Sequence, residues 1–167
     1  MDAPTDHSPA DPIAGADLAS LPRPALQALL EAAGERRFRA DQLFRWLHVR
    51  MGRDWAQMTD LGKHLRGRLQ AACPLPGLTV LRDAKSALDG SRKLVLATAG
   101  GPAIETVIMT MAGGHMTQCL SSQIGCRMGC DFCATGRMPI RADLSAGEIV
   151  EQVAVACRLL AGEGQAR

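Results

Sequence analysis

Cys119-Leu-Ser-Ser-Gln-Ile-Gly-Cys126-Arg-Met-Gly-Cys130-Asp-Phe-Cys133 places three of the chain's six cysteines within eight residues, at spacings x3 and then x2. A compartment that keeps thiols reduced does not use such a run for disulfides. Thiolates are soft donors, and three packed this tightly suit zinc or an iron–sulfur cluster. The count separates the two. Structural zinc takes four ligands, usually as two pairs set well apart, whereas here three sit in one loop and no second pair follows. The run therefore points to iron–sulfur, with a zinc site completed by Cys119 or His115 as the alternative.

Upstream of the loop the texture is that of strands. Leu78–Arg82, Lys93–Ala97 and Ile104–Met111 are short aliphatic runs punctuated by Asp89-Gly90, Gly100-Gly101 and Gly113-Gly114, and a fourth run, Met116–Ser121, leads into the cysteines. Downstream, Ser145-Ala-Gly-Glu148 has capping-box spacing, and Ile149, Val153, Ala156, Cys157 and Leu160 recur as one helical face. The last third thus reads as strand, loop, helix: one βα unit, which cannot close a sheet by itself.

Before residue 78 the periodicity is helical. Leu26, Leu29, Leu30 and Ala33 fall at i, i+3, i+4 and i+7, with Gly34 as a stop. A second helix over Arg39–Val49 would bury Leu43, Phe44 and Leu47. A third, capped by Thr59 or Asp60, would align Leu61, Leu65 and Leu69. Cys73-Pro-Leu-Pro-Gly77 reads as a linker. The expected class is α/β: a leader over 1–19, a helical domain over 20–77, a β-rich connector over 78–115 and the start of a second core over 116–167.

Charge and hydropathy narrow the classes further. The chain holds no 18-residue uncharged apolar run, which argues against a membrane span. Residues 1–19 carry four Asp and no Lys or Arg, unlike a secretory signal, and read as a disordered leader in a cytoplasmic protein. Residues 20–77 carry ten Lys/Arg against five acids, a balance suited to a polyanion such as RNA or simply to a solvated helix surface.

Three thiolates on a cubane leave one iron open, able to chelate the amino and carboxylate groups of S-adenosylmethionine. The spacing CxxxCxxC, Phe132 before the third cysteine and a preceding strand resemble the radical-SAM superfamily. The longer string Cys119–Cys126, then Cys133-Ala-Thr-Gly-Arg137 and Leu144-Ser-Ala-Gly-Glu-Ile149, resembles the RlmN/Cfr family of adenine methyltransferases. Phe38–Leu47, Met58–Leu61 and Ile104–Val107 are similar to that family's helical domain and glutamate-bearing strand. The resemblance covers about residues 20–162.

It implies a truncated radical-SAM (β/α) partial barrel, with Cys126, Cys130 and Cys133 holding a [4Fe-4S] cluster beside S-adenosylmethionine. Glu105 would be the proton acceptor, and Cys119 would face a second cysteine near the family's C-terminus. Without the resemblance, Glu105 reads as a solvent-facing strand residue and Cys119 as a small buried apolar one; Cys73 and Cys157 read as core or linker. The implied reaction places a methyl on C2 of adenine in 23S rRNA and tRNA, drawing electrons from a flavodoxin-type reductase, in a protein that is monomeric at full length. Family chains are about twice as long, so the SAM-binding GMGEP-like strand and the methyl-carrying cysteine are expected beyond Arg167, and these 167 residues alone are expected to be inactive. Two readings compete: a Cfr-like C8 methyltransferase of the same adenine, and a non-catalytic zinc- or cluster-stabilised RNA-binding module.

Overall fold

A computed structural model describes residues 11–75 and 77–164. Helix α1 (Arg23–Ala32) carries Pro24 in its first turn, where a missing N–H costs nothing. It ends where Gly34 takes the left-handed conformation (φ +81°) and the Glu35 N–H returns to the Leu30 carbonyl at 2.9 Å. Helix α2 (Phe38–Phe44) continues into a π-helical turn over Arg45–Val49, so the expected second helix is present with a widened last turn. Helix α3 (Lys63–Ala72) follows Gly62 without a side-chain cap. Asp60 is engaged elsewhere: it accepts from the Trp46 indole N–H and pairs with Arg50 at 3.6 Å. The aligned leucines pack as their spacing requires, with Leu26, Leu30, Leu43, Leu47, Leu61 and Leu69 fully or almost fully buried in one cluster.

Residues 11–19 depart from the expected disordered leader; residues 1–10 of it lie outside the described part. Ile13 is completely buried in the helical core, and its carbonyl accepts from the Cys73 thiol at 2.7 Å. Asp11 receives two bonds from Arg68 (3.1 and 3.2 Å), and the Gly15 N–H reaches the Ala72 carbonyl at 2.8 Å. One isoleucine with a well-placed acid outweighs the Pro- and Asp-rich composition, because burying that side chain contributes about 1.5–3 kcal/mol.

Strands β1 (Thr79–Lys85), β2 (Arg92–Ala97), β3 (Ala103–Thr110) and β4 (Met116–Cys119) form an antiparallel sheet in sequential order. Short turns at Gly90, Gly101 and Gly113-Gly114, all with positive φ, make antiparallel pairing the only geometry these connections allow. The strand expected to begin a parallel βα unit, β4, therefore pairs antiparallel with β3 and ends at Cys119. Two residues each of β5 (Gln123–Ile124) and β6 (Ala142–Asp143) pair across the base of the cysteine loop. Helix α4 (Ala146–Gly162) begins with the expected capping box, both reciprocal bonds being present between Ser145 and Glu148.

Alternation along β2 and β3 turns Leu94, Leu96, Ile104 and Ile108 toward α4, where Val155 and Ala156 meet them. Among the described residues no helix packs on the opposite sheet face, which the cysteine loop only flanks. Helix α4 is also covered on its other side by the helical unit. The Gly147 N–H donates to Ser20 Oγ at 2.6 Å, and a β-carbon on Gly147 would come within 2.7 Å of Asp17. Between two partners the helix buries Glu151 and Gln152, while Cys157, expected in the core, is exposed. Glu151 pairs with Arg53 from the helical unit and with Arg158 at 2.7 Å.

Candidate functional site

The uncovered face of the sheet gathers the polar candidates. In β3, Ile104 and Thr106 point into the core, so Glu105 and Val107 point out. Val107 lies opposite Cys119 in β4 and opposite Lys93 in β2. Glu105 and Cys119 are thus diagonal neighbours on one face, a relation that brings β-carbons within about 7–8 Å in a regular sheet. The Glu105 carboxylate pairs with Lys93 Nζ at 3.0 Å, each side chain being about half exposed (53% and 50%). Cys119 is exposed, not the buried small residue its type suggests.

The cysteine loop rises beside this face. Its base is tied by the β5–β6 pair and by the Arg141 N–H to the Ile124 carbonyl (2.8 Å). Gly125 has φ +81°, and a β-carbon there would meet the Pro139 carbonyl oxygen at 2.2 Å, so only glycine lets the two arms of the loop come this close. A β-carbon on Gly136 would stand 2.8 Å from the Cys130 carbonyl, which explains the bare backbone at that crossing. Asp143 accepts from Gln123 (2.6 Å) and Arg127 (2.8 Å), and these bonds hold its carboxyl below the usual carboxylate range.

Cys126, Cys130 and Cys133 are all half-buried. The Met128 N–H approaches Cys126 Sγ at 3.4 Å, the kind of contact that a thiolate ligand receives in a cluster site. Among the described residues no three His, Cys, Asp or Glu side chains converge as a metal-holding group. The donors therefore fit a cluster in kind, number and loop placement, but their sulfurs do not converge as ligands. The same finding leaves the zinc alternative through Cys119 or His115 without an assembled ligand set.

A cleft of about 270 Å³ runs between loop and sheet, lined by Glu105, Ser121, Gln123, Gly125, Ala134 and Thr135 among others. It joins the Glu105 strand to the inner wall of the cysteine loop. Exposed Met128 and Phe132 stand on the loop, and Leu120 precedes it.

Sequence reasoning overlooked three contributors. Lys93, diagonal to Glu105 across β2 and β3, is its ion-pair partner, and only the register reveals it. Gln118 and the fully buried Gln152 hold the backbone that carries Cys119. Gln152 had a legible signal, since it sits three residues after Ile149 and four before Ala156, on the helix's apolar face.

Residues 16–75 match the family described as Ribosomal RNA large subunit methyltransferase N-terminal domain. The chain is 42% identical over 142 residues to the dual-specificity RNA methyltransferase RlmN of Marinobacter nauticus, covering 85% of this chain and 38% of that one. It is 45% identical over 140 residues to the Halorhodospira halophila RlmN (84% and 38%), and 42% over 167 residues to that of an Anaeromyxobacter species (99% and 43%). A crystal structure of a radical SAM methyltransferase from Sphaerobacter thermophilus superposes with a TM-score of 0.80 at 39% identity, over 89% of this chain and 43% of that one. The chain spans about two fifths of the length of these curated relatives. Residues 16–75 are thus similar to that N-terminal domain, and the chain as a whole is similar to part of RlmN proteins.

Proposed function

We propose that this RlmN-type chain is the front portion of a radical-SAM RNA methyltransferase that methylates C2 of adenine in 23S rRNA and tRNA. The observation that carries the reading is one cleft shared by the Glu105 strand and the thiolate loop. In this reading Cys126, Cys130 and Cys133 hold a [4Fe-4S] cluster with S-adenosylmethionine on its open iron, as the start of a radical-SAM partial barrel. That group, when bound, supplies a carbon-centred radical, the chemistry needed at a ring carbon that is not nucleophilic.

The chain's own residues do the rest. Glu105 stands on the open face as the acceptor of the ring proton, with Lys93 holding its carboxylate and balancing its charge in the waiting state. Cys119, on the same face, presents an exposed thiol, set to face the second cysteine that the family carries near its C-terminus. The helical unit offers Arg36, Arg37, Arg45 and Lys63, all exposed, to RNA phosphates. A flavodoxin-type reductase supplies the electron, and the cytoplasm is the compartment such partners imply.

Anaerobic reconstitution tests the cluster directly: about four irons and four sulfides per chain, with an electron paramagnetic resonance signal altered by S-adenosylmethionine, is the expected result. A colourless protein holding one zinc would replace this reading with the non-catalytic RNA-binding module. Deleting the coding sequence should remove 2-methyladenine from 23S rRNA and tRNA; loss of C8 methylation instead would make the protein Cfr-like.

A further inference from the structure

Gln152 is completely buried at the seam between α4 and the sheet, and all of its polar atoms on this side are used. Its side-chain oxygen accepts the Ser121 N–H at 2.9 Å, and its side-chain nitrogen donates to the Ser121 carbonyl at 2.8 Å. Its own carbonyl accepts from Gln118 Nε2 at 3.0 Å, and the same nitrogen donates to Thr106 Oγ1 at 2.9 Å. Thr106 Oγ1 in turn donates to the Cys119 carbonyl at 2.7 Å, and Ser121 Oγ donates to the Glu105 carbonyl at 2.7 Å. The backbones of Glu105 and Cys119 are therefore each held by a hydroxyl that belongs to one connected set, and Gln152 ties that set to a capped helix.

We propose that Gln152 is a positioning residue: its side-chain amide grips Ser121 from both sides and so sets Cys119 against Glu105 and fixes where the cysteine loop begins. Chain geometry makes the grip necessary. Strand β4 ends at Cys119, β5 begins only at Gln123, and Ser121 has no ladder partner in between. A buried amide that mimics a neighbouring strand's N–H and C=O satisfies that gap, whereas an apolar residue at 152 would leave both Ser121 groups without partners. The chemical meaning of the position rests on the proposed function; the grip itself does not.

The test compares the 167-residue chain with Gln152→Met, which keeps side-chain length and removes the bonds. Hydrogen exchange followed residue by residue should speed at Ser121 by about tenfold or more, while amides of the helical unit and of β2 keep their rates. Alkylation by iodoacetamide, read by peptide mass spectrometry, should change several-fold at Cys119 and stay constant at exposed Cys157. Unchanged Ser121 exchange, or equal acceleration across the whole chain, would reduce Gln152 to an ordinary core residue. Should Gln152→Met fail to fold, the unaltered chain still decides: its Ser121 amide must exchange as slowly as those of α4, and loop-like exchange overturns the grip. A chain that binds zinc but no cluster, yet releases Ser121 locally in Gln152→Met, would sink the proposed function and leave the positioning role intact.

Discussion

Ile13, Leu43 and Leu69 are enclosed on every side by the helical unit, whereas the sheet is packed by α4 on one face only and leaves Lys93, Glu105 and Cys119 on the other. The helical unit also uses several of its cations internally: Arg23 pairs with Asp41, Arg50 with Asp60, and Arg68 with Asp11 and Glu35. In the cysteine loop, by contrast, glycine-shaped backbone and half-buried thiols replace side-chain packing. One region spends its sequence on stability and the other on presenting groups. Substitutions should accordingly separate into those that melt the chain and those that empty the site.

The largest expected effect is in the second class. Cys130→Ala should abolish cluster retention after anaerobic reconstitution, with iron falling from about four per chain to a minor fraction. The thermal midpoint of the cluster-free chain should stay where it was, because the Cys130 side chain touches neither core. A drop of many degrees in that midpoint would show that the loop is structural and would erase the contrast between the regions.

The seam joins the two regions and should be costly to cut. Glu151→Ala leaves the guanidinium of Arg53 buried without its carboxylate, a loss of about 3–5 kcal/mol in comparable buried pairs. Glu151→Gln keeps a hydrogen-bond acceptor and should cost clearly less. Denaturant titration measures both; equal costs would mean that the charge is irrelevant to the docking of α4.

How much of this was legible in the sequence follows the same division. Leu26, Leu30, Leu65 and Leu69 announced their helices because burial repeats with the helical period, and Ser145 with Glu148 announced α4 because capping is local. Ile13 was not legible: a single apolar residue in a Pro- and Asp-rich stretch has no period, and its burial depends on a groove made by distant residues. Asp60 was a plausible cap that lost to Trp46 and Arg50, partners that become neighbours only after folding. The cysteine loop stood out through its spacing, but the placing of its sulfurs and the face shared by Glu105 and Cys119 depend on loop path and strand register, which sequence leaves open. Gln152 was legible but overlooked, at apolar-face spacing on α4, whereas the burial of Glu151 was not legible: it lies off that face, and helix-period reasoning has no term for a second partner such as Arg53.

Within a core the contrast becomes a matter of enclosure. Leu69→Ala should cost about 2–5 kcal/mol, as truncation of a fully buried leucine does. Val95→Ala, on the open face of β2 and only half-buried, should cost under about 1 kcal/mol. Comparable losses at the two positions, measured by urea denaturation, would mean that something covers the open face in solution.

The smallest effect is a matter of pH, and it too divides the regions. His48 lies in the helical unit against the Phe44 ring (4.4 Å between centroids), with Nε2 buried and unbonded. Burial first, and the Arg53 charge second, push its pKa below the ordinary histidine value. An unfolded chain then takes up a proton near pH 6.5 that the folded one refuses. Its contribution is intact above that value and is lost as pH falls from there toward the lower folded pKa. Asp83, in the sheet, is held low by its hydrogen bonds to Arg92, so its contribution persists until pH falls below about 4 and is lost through its own folded pKa. His48→Phe keeps the ring contact and removes the titrating group, and it should flatten the stability slope between pH 7 and 5 while leaving the acid limb of the sheet unchanged. Thermal melts from pH 7 down to about 3 check it: a slope between pH 7 and 5 identical to the unaltered chain's would place the proton uptake elsewhere, and a change confined to the region below about pH 4 would mean that the substitution acted on carboxylates such as Asp83 and not by removing a titrating imidazole.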